Sequence, residues 1–221
     1  MHEALQGATE GNPLVIGSVG DSVGANIVNR QVLSSRLDAA GIPHEFVGHN
    51  TDFNTTPEFA TSSWGGESYE RICLGSFDID RGGAIGTRDE PALTQLLEDY
   101  NPDLILVIGG NNNTNRPIGT TANELDLLLD KLVDAQIPVV FTNVPQHDIN
   151  ASGWIRPDET ADMVPIVNNH LNSIIPQHSD FIEFTDINSK IGPEHFNADG
   201  LHLNTVGQTI LGNCVADALG L

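Results

Sequence analysis

Ser22 is the first residue of the chain whose type and position could support nucleophilic catalysis. It stands in a Gly-Asp-Ser-Val-Gly sequence at residues 20–24, between a predicted strand and a predicted helix. At a helix N-terminus, backbone N–H groups and the helix dipole favour a developing negative charge. The alternative interpretation is an ordinary N-cap, because serine is common at that position.

An acid and a histidine stand close together near the end of the chain, as Asp199-Gly-Leu-His202. The spacing of three lets the carboxylate reach Nδ1 of the imidazole within one turn, which fixes the tautomer and leaves Nε2 free to act as a base. The Ser22 segment also fits the Gly-x-Ser-x-Gly letters of α/β-hydrolases. In those enzymes, however, the acid usually lies far before the histidine in sequence.

A third polar group follows the most apolar segment of the chain. Residues 103–109 read Asp-Leu-Ile-Leu-Val-Ile-Gly and predict a buried strand, after which the sequence continues Gly110-Asn111-Asn112. The Asn111 amide at the end of that strand could donate a hydrogen bond to an oxyanion. Alternatively, Asn111 could be an ordinary turn residue.

Strands and helices alternate along the chain, which predicts parallel βαβ units with right-handed crossovers. We expect one domain over residues 1–221, a three-layer α/β/α sandwich with a five-stranded parallel sheet and sites at the carboxyl ends of its strands. The helix at residues 160–175 should be irregular at Pro165, and Thr205 with Gln208 fits a capping box. The predicted strands are residues 13–18, 44–48, 103–109, 138–143 and 180–185, and the predicted helices are residues 24–40, 67–74, 91–100, 121–136, 160–175 and 205–219.

Four segments, in this order, together resemble the SGNH hydrolases, also called the GDSL esterase/lipase superfamily. The resemblance spans essentially the whole chain and implies the flavodoxin-like fold of that family. The segments are Gly-Asp-Ser-Val at residues 20–23, Ser-Trp-Gly-Gly-Glu-Ser-Tyr-Glu-Arg-Ile at 63–72, Gly-Gly-Asn-Asn at 109–112 and Asp-Gly-Leu-His at 199–202.

The resemblance implies a role for each matched residue. Ser22 would be the nucleophile, His202 the general base and Asp199 the acid that orients it. The oxyanion hole would comprise the backbone N–H groups of Ser22 and Gly66 and the side chain of Asn111. Two positions depart from the family pattern: Val23 replaces the usual leucine and should be a packing residue, and Asn112 replaces an aspartate that supports the loop around Asn111.

The same resemblance implies an ester hydrolase that needs no metal and no organic cofactor. The Trp-Gly-Gly-Glu-Ser-Tyr segment is similar to acetylxylan-type carbohydrate esterases, so we expect a small-molecule or polysaccharide ester as substrate. Trp64 and Trp154 could form a sugar-stacking platform or serve only in loop packing. The alternatives are a lipase or thioesterase for longer acyl chains, with Ile149 and Ile155 in an apolar groove, and a non-catalytic carbohydrate-binding module.

Composition excludes several classes of partner. The chain has 30 acidic and 9 basic residues, a formal charge of −21, and only two lysines. Such a surface repels nucleic-acid phosphates and anionic lipid, and no apolar segment approaches the ~20 residues that span a membrane. We expect a secreted protein whose signal peptide is missing from this sequence, with a cytoplasmic location as the alternative. The acidity would also suit a high-salt setting.

For the remaining candidate groups, a structural role is favoured over a functional one. Cys73 and Cys214 are too few for a disulfide scaffold or a structural zinc site, so we expect two buried thiols, with one disulfide as the alternative. Residues 78–89 partly follow a calcium-loop pattern but lack its final glutamate, which favours a solvated turn. The histidines without ligand spacing should be surface or polar-loop residues; they include His147, His170 and His195.

Overall fold

Six parallel strands form the sheet in the described part of the chain. The computed structural model describes residues 2–50, 56–65, 68–74, 91–114, 118–154, 163–178 and 180–221. Five strands lie in the order β2-β1-β4-β5-β6, and the two-residue β3 pairs with the end of β1. The strands are β1 (Leu14–Gly20), β2 (His44–Val47), β3 (Ser62–Ser63), β4 (Leu104–Ile108), β5 (Val139–Thr142) and β6 (Ile182–Thr185).

Helices cover both faces of this sheet, which confirms the predicted three-layer α/β/α fold. The helices are α1 (His2–Gly7), α2 (Ile27–Ala39), α3 (Tyr69–Leu74), α4 (Ala92–Tyr100), α5 (Ile118–Ala135), α6 (Met163–Ile174) and α7 (Thr205–Ala218). Three short 3₁₀ helices are Ile175–His178, Asn188–Lys190 and Pro193–His195. The sequence patterns missed α1 and β3, because each is short.

The central strand β4 shows why the sheet needs cover on both faces. All five of its residues are buried. Successive side chains of a strand point to opposite faces. Ile105 and Val107 therefore join the core beneath α3 to α6, whereas Leu104, Leu106 and Ile108 join the core beneath α2 and α7. The continuous apolar run of residues 104–108 is thus the signature of a two-sided strand.

Two local expectations about helix ends are wrong. The N-cap of α7 is Asn204, whose side chain accepts hydrogen bonds from the N–H groups of Val206 and Gly207, so Thr205 is the first helical residue and forms no capping box. Residues 163–174 form one continuous helix that contains Pro165, so the proline does not interrupt it.

Both cysteines are free thiols, so the disulfide alternative is wrong. Cys73 is buried in α3, and Cys214 is partly buried in α7. Burial raises the pKa of the Cys73 thiol to about 12, which keeps it protonated and unreactive at neutral pH. The calcium-like segment at residues 78–89 lies outside the described residues. In the described part, no helix combines the length and the apolar character needed to cross a membrane.

Candidate active site

Ser22 lies in a tight turn between β1 and α2. The N–H of Ala25 donates to the Asp21 carbonyl at 2.9 Å, and α2 begins only at Ile27, with Asn26 as its N-cap. The N-cap interpretation of Ser22 is therefore wrong, and the helix begins later than the pattern predicted. The turn exposes part of Ser22 while its neighbours Asp21 and Val23 are buried.

The glycines on either side of this turn are required by close packing against β4. A β-carbon added to Gly20 would lie 1.8 Å from the carbonyl oxygen of Ile108, and one added to Gly24 would lie 2.5 Å from the same oxygen. No side chain fits at either position without moving the backbone. The Gly-Asp-Ser-Val-Gly sequence thus lets the turn lie directly over the end of the neighbouring strand. Val23, the departure from the family pattern, is a buried packing residue.

Ser22, His202 and Asp199 form a continuous hydrogen-bonded row. Ser22 Oγ lies 2.9 Å from His202 Nε2, across 180 residues of sequence. His202 Nδ1 lies 2.8 Å from Asp199 Oδ2. An ionised carboxylate only accepts, so Nδ1 carries the hydrogen and Nε2 is left to accept from the serine hydroxyl.

The Asp199 carboxylate is held by its own loop as well as by the imidazole. Its Oδ1 accepts the backbone N–H groups of Leu201 and His202, both at 2.9 Å. Partial burial alone would raise the pKa of Asp199. The hydrogen bonds from His202 and Leu201 outweigh that effect and lower the pKa below its ordinary value. Asp199 is therefore ionised at neutral pH, as an acid that stabilises an imidazolium must be.

Asp21, to which the sequence patterns assigned no role, is a fully buried carboxylate beside Ser22. Its Oδ1 accepts the N–H of Val23 at 2.9 Å, which holds the turn. Its Oδ2 accepts both the backbone N–H and the side-chain Nδ2 of Asn111, each at 2.9 Å. Asp21 therefore joins the serine turn at the end of β1 to Asn111 at the end of β4. An acid directly after an apolar strand was the available signal.

The segment that would supply the backbone donor is only partly described. Gly66 lies outside the described residues. On one side, the N–H of Trp64 donates to the Gly20 carbonyl at 3.0 Å, and on the other side, the N–H of Tyr69 donates to Asn113 Oδ1 at 3.1 Å. One side of the segment is thus held at the end of β1, just before Ser22, and the other side is held by the turn after β4 that contains Asn111.

The two tryptophans differ in their surroundings, and both are partly buried. Trp64 follows β3, and Trp154 lies in the loop after β5. The Trp154 ring lies 5.9 Å from the ring of His147. It also packs beside Gly200, since a β-carbon there would lie 3.0 Å from Trp154 Cε3. Trp154 therefore borders the Asp199–His202 segment.

His147 lies in a polar loop, which is one of the two predicted alternatives, but it is not at the surface. Only 4% of it is exposed, and its Nε2 lies 3.0 Å from Asn111 Oδ1. The signal that could have found it is its place shortly after β5, at the sheet edge where parallel folds carry their sites.

A second serine–histidine–aspartate row lies nearby. Ser62 Oγ lies 3.3 Å from His49 Nδ1, and His49 Nε2 lies 2.9 Å from Asp99 Oδ2. Ser62 is fully buried, so its hydroxyl is closed to a substrate, whereas Ser22 is partly exposed. Access therefore distinguishes the Ser22 row from the Ser62 row. Among the described residues, no three His, Cys, Asp or Glu side chains are grouped to hold a metal ion.

Arg30 on α2 stabilises the serine turn through hydrogen bonds to backbone carbonyl groups. Its guanidinium is buried and donates to the carbonyl oxygens of Gly24 at 2.6 Å, Ala25 at 3.1 Å and Phe59 at 2.9 Å. Burial lowers the pKa of Arg30 to about 10, so the side chain is still charged at neutral pH. One cation thus satisfies carbonyl groups on both the serine turn and the segment before β3.

Replacing Arg30 with methionine should destabilise the protein strongly. Three carbonyl groups would lose their donor inside the protein, and we expect the free energy of unfolding to fall by about 3 kcal/mol. Urea unfolding at constant salt measures the change. Arg36→Met is the matched control on the same helix. Arg36 also has three acceptors, on Asp217, Asn213 and Leu221, but its side chain is partly exposed, so water can replace the lost donor and the substitution should cost under about 1 kcal/mol. Equal losses in the two variants would contradict the assigned role.

Comparison with solved structures supports the fold class. The structure matches a carbohydrate esterase family 3 protein from Talaromyces cellulolyticus with a TM-score of 0.68 and 15% identity, covering 93% of this chain and 96% of that one. It matches a lipase/acylhydrolase from Enterococcus faecalis with a TM-score of 0.65 and 17% identity, over 92% and 94% of the two chains. A protein from Slackia heliotrinireducens described as an SGNH hydrolase gives a TM-score of 0.65 and 15% identity, over 95% and 100%.

At these identities, the likeness establishes the fold, which is the one these SGNH-type proteins share. No protein-family model matches the sequence, and no curated protein sequence matches it either.

Proposed function

We propose that this protein is a serine esterase that hydrolyses short-chain acyl esters, with O-acetyl groups on carbohydrate as the natural substrate class. The observation that carries the proposal is the Ser22–His202–Asp199 row, with its 2.9 Å and 2.8 Å contacts at the carboxyl edge of the sheet. Neighbours of the same fold are described as esterases and acylhydrolases, which supports the general class.

The row suits a two-step acyl transfer. Ser22 Oγ attacks the ester carbonyl carbon while its proton passes to His202 Nε2. The imidazolium that forms is stabilised by Asp199 and then gives the proton to the departing alcohol. Water, deprotonated by the same Nε2, attacks the acyl-serine, and the acid is released as Nε2 returns the proton to Ser22 Oγ.

The negative charge on the carbonyl oxygen needs donors that are already in place. The proposed donors are the backbone N–H groups of Ser22 and Gly66 and the Nδ2 of Asn111. Asn111 Nδ2 donates to the Asp21 carboxylate at 2.9 Å, which fixes the orientation of the amide. A donor of this kind stabilises the transition state by about 3 kcal/mol. The buried carboxylate of Asp21 keeps the Asn111 amide aimed without taking part in the chemistry.

The carbohydrate part of the proposal depends on the tryptophans. Trp154 lies beside the Asp199–His202 segment, where an aromatic face could stack on a sugar ring. One neighbour is described as a carbohydrate esterase. Ile149, 36% exposed on the same loop as Trp154, is the observation that favours the alternative of longer acyl chains. The intact hydrogen-bonded row disfavours a non-catalytic binding module.

An acyl-chain profile tests the substrate class. We expect kcat/KM for 4-nitrophenyl acetate to exceed that for the octanoate by about tenfold or more, because a short pocket gains nothing from added methylenes and must exclude them. Acetylated xylan should release acetate at a rate well above that of a Ser22→Ala blank. A preference for octanoate would favour the lipase or thioesterase alternative. If neither ester were hydrolysed, the proposal that this protein is an esterase would be contradicted.

A further inference from the structure

The loop at residues 144–154, between β5 and α6, reaches the proposed oxyanion hole through one side chain. His147 is buried, and its Nε2 lies 3.0 Å from Asn111 Oδ1. A side-chain amide oxygen only accepts hydrogen bonds, so the Nε2 of His147 must carry a hydrogen and donate it. That requirement holds for the neutral Nε2–H tautomer and for the imidazolium alike.

Both the nitrogen and the oxygen of the Asn111 side-chain amide therefore form hydrogen bonds. Asp21 accepts from Nδ2, and His147 donates to Oδ1. Turning the amide by 180° would set its oxygen against the carboxylate, which is repulsive, and its NH₂ against the imidazole N–H, which is repulsive unless the imidazole moves its hydrogen to Nδ1. Two partners of opposite character therefore select the orientation in which Nδ2 faces the serine turn.

The same loop also holds the acid of the row. The N–H of Asp148 donates to the Gly200 carbonyl at 2.9 Å, and the N–H of Gly153 donates to the Ala198 carbonyl at 2.8 Å. Gly200 adopts φ +69°, and a β-carbon there would lie 2.1 Å from the Asp148 carbonyl oxygen. The loop that carries His147 is thus also fixed to the segment around Asp199.

We propose that His147 is a positioning residue that sets the orientation of the Asn111 amide, and that its loop holds this amide in register with Asp199 and His202. The inference rests on the proposed function, since an orientation matters only if Asn111 stabilises an oxyanion. His147 itself does not touch the reacting atoms.

A matched pair of amide substitutions tests this role. In His147→Gln, the Nε2 amide can occupy the place of the imidazole Nε2 and donate to Asn111. In His147→Asn, the same amide is one methylene too short. We expect His147→Asn to lower kcat for 4-nitrophenyl acetate about tenfold, the effect of one lost hydrogen bond, with KM nearly unchanged. His147→Gln should stay within about threefold of the wild type, because the donor is restored.

A double-variant cycle separates orientation of Asn111 from general support of the fold. Asn111→Ala should lower kcat by about 10²–10³-fold. Adding His147→Asn to it should change kcat by less than about twofold, because no amide remains to be oriented. Rates are divided by the fraction of protein that an organophosphonate labels at the end point, which removes any loss of folded enzyme.

Several results would overturn the inference. They are a further tenfold loss in the double variant, a loss in His147→Gln as large as in His147→Asn, a loss confined to KM, or an Asn111→Ala variant with wild-type kcat. The proposed function fails separately, through a Ser22→Ala variant as active as the wild type. An inactive Ser22→Ala with a fully active His147→Asn would leave the esterase in place and reject the role of His147 alone.

Discussion

Replacing Ser22 with alanine should lower kcat for a short-chain chromogenic ester by about 10⁶-fold, the size of effect seen when the nucleophile of a hydrolytic triad is removed. The substitution removes the only atom of the row that would form a bond to the acyl group. Initial rates with 4-nitrophenyl acetate measure it, against a buffer blank. Ser22 is partly exposed and its hydroxyl makes one contact in the row, so the free energy of unfolding should change by no more than about 1 kcal/mol.

Ser62→Ala is the matched control for that experiment. Ser62 also faces a histidine that faces an aspartate, but it is fully buried. We expect its kcat to stay within about threefold of the wild type, as for a substitution outside the site. Mass spectrometry after treatment with an organophosphonate should find one adduct, on Ser22. If Ser62→Ala lost activity and Ser22→Ala kept it, the nucleophile would be Ser62, and the proposed mechanism would be rejected.

Replacing Asp199 with asparagine should lower kcat by about 10⁴-fold while leaving the loop geometry intact. The amide oxygen could still accept the backbone N–H groups of Leu201 and His202. Its NH₂ group, however, would donate to Nδ1 of His202 and force the hydrogen onto Nε2. The imidazole could then no longer accept the Ser22 proton. The measurement is kcat at neutral pH, with circular dichroism to show that the fold is retained.

The contribution of the Asp199 carboxylate to the stability of the wild type should depend on pH in a predictable direction. The pKa of Asp199 is lowered in the folded state by its hydrogen bonds, against the effect of partial burial. The stability from the ionised carboxylate is therefore fully present above the ordinary pKa of about 4, and it is lost as the pH falls through the lower folded value. The gap in free energy of unfolding between wild type and Asp199→Asn should narrow on acidification.

Asp186→Asn is the control for a hydrogen-bonded acid outside the row. Asp186 also has a lowered pKa, since hydrogen bonds from Asn143 and the backbone outweigh the effect of partial burial. The gap in free energy of unfolding between wild type and Asp186→Asn should narrow on acidification in the same way, with kcat within about twofold of the wild type. Equal losses of activity in the two variants would mean that Asp199 acts through folding stability rather than through His202.

The comparison of sequence and structure separates local information from long-range information. The apolar run at residues 104–108 specified a strand buried on both faces, and the spacing of Asp199 and His202 specified their contact, because each pattern lies within one element or one turn. The first residue of α7 was predicted correctly as Thr205, but its N-cap was placed one residue too late, since threonine and asparagine are both good caps and only the folded backbone shows that Asn204 is used.

What the tertiary structure decided concerns pairs of residues that no local pattern connects. The contact of Ser22 with His202 across 180 residues, the burial of Asp21 against Asn111 and that of His147 against the same amide all depend on the strand order β2-β1-β4-β5-β6. The sequence by itself determined the longer helices and strands, and which residue types could do chemistry. Only the packed sheet decided which serine faces solvent, because burial depends on segments that arrive from distant parts of the chain.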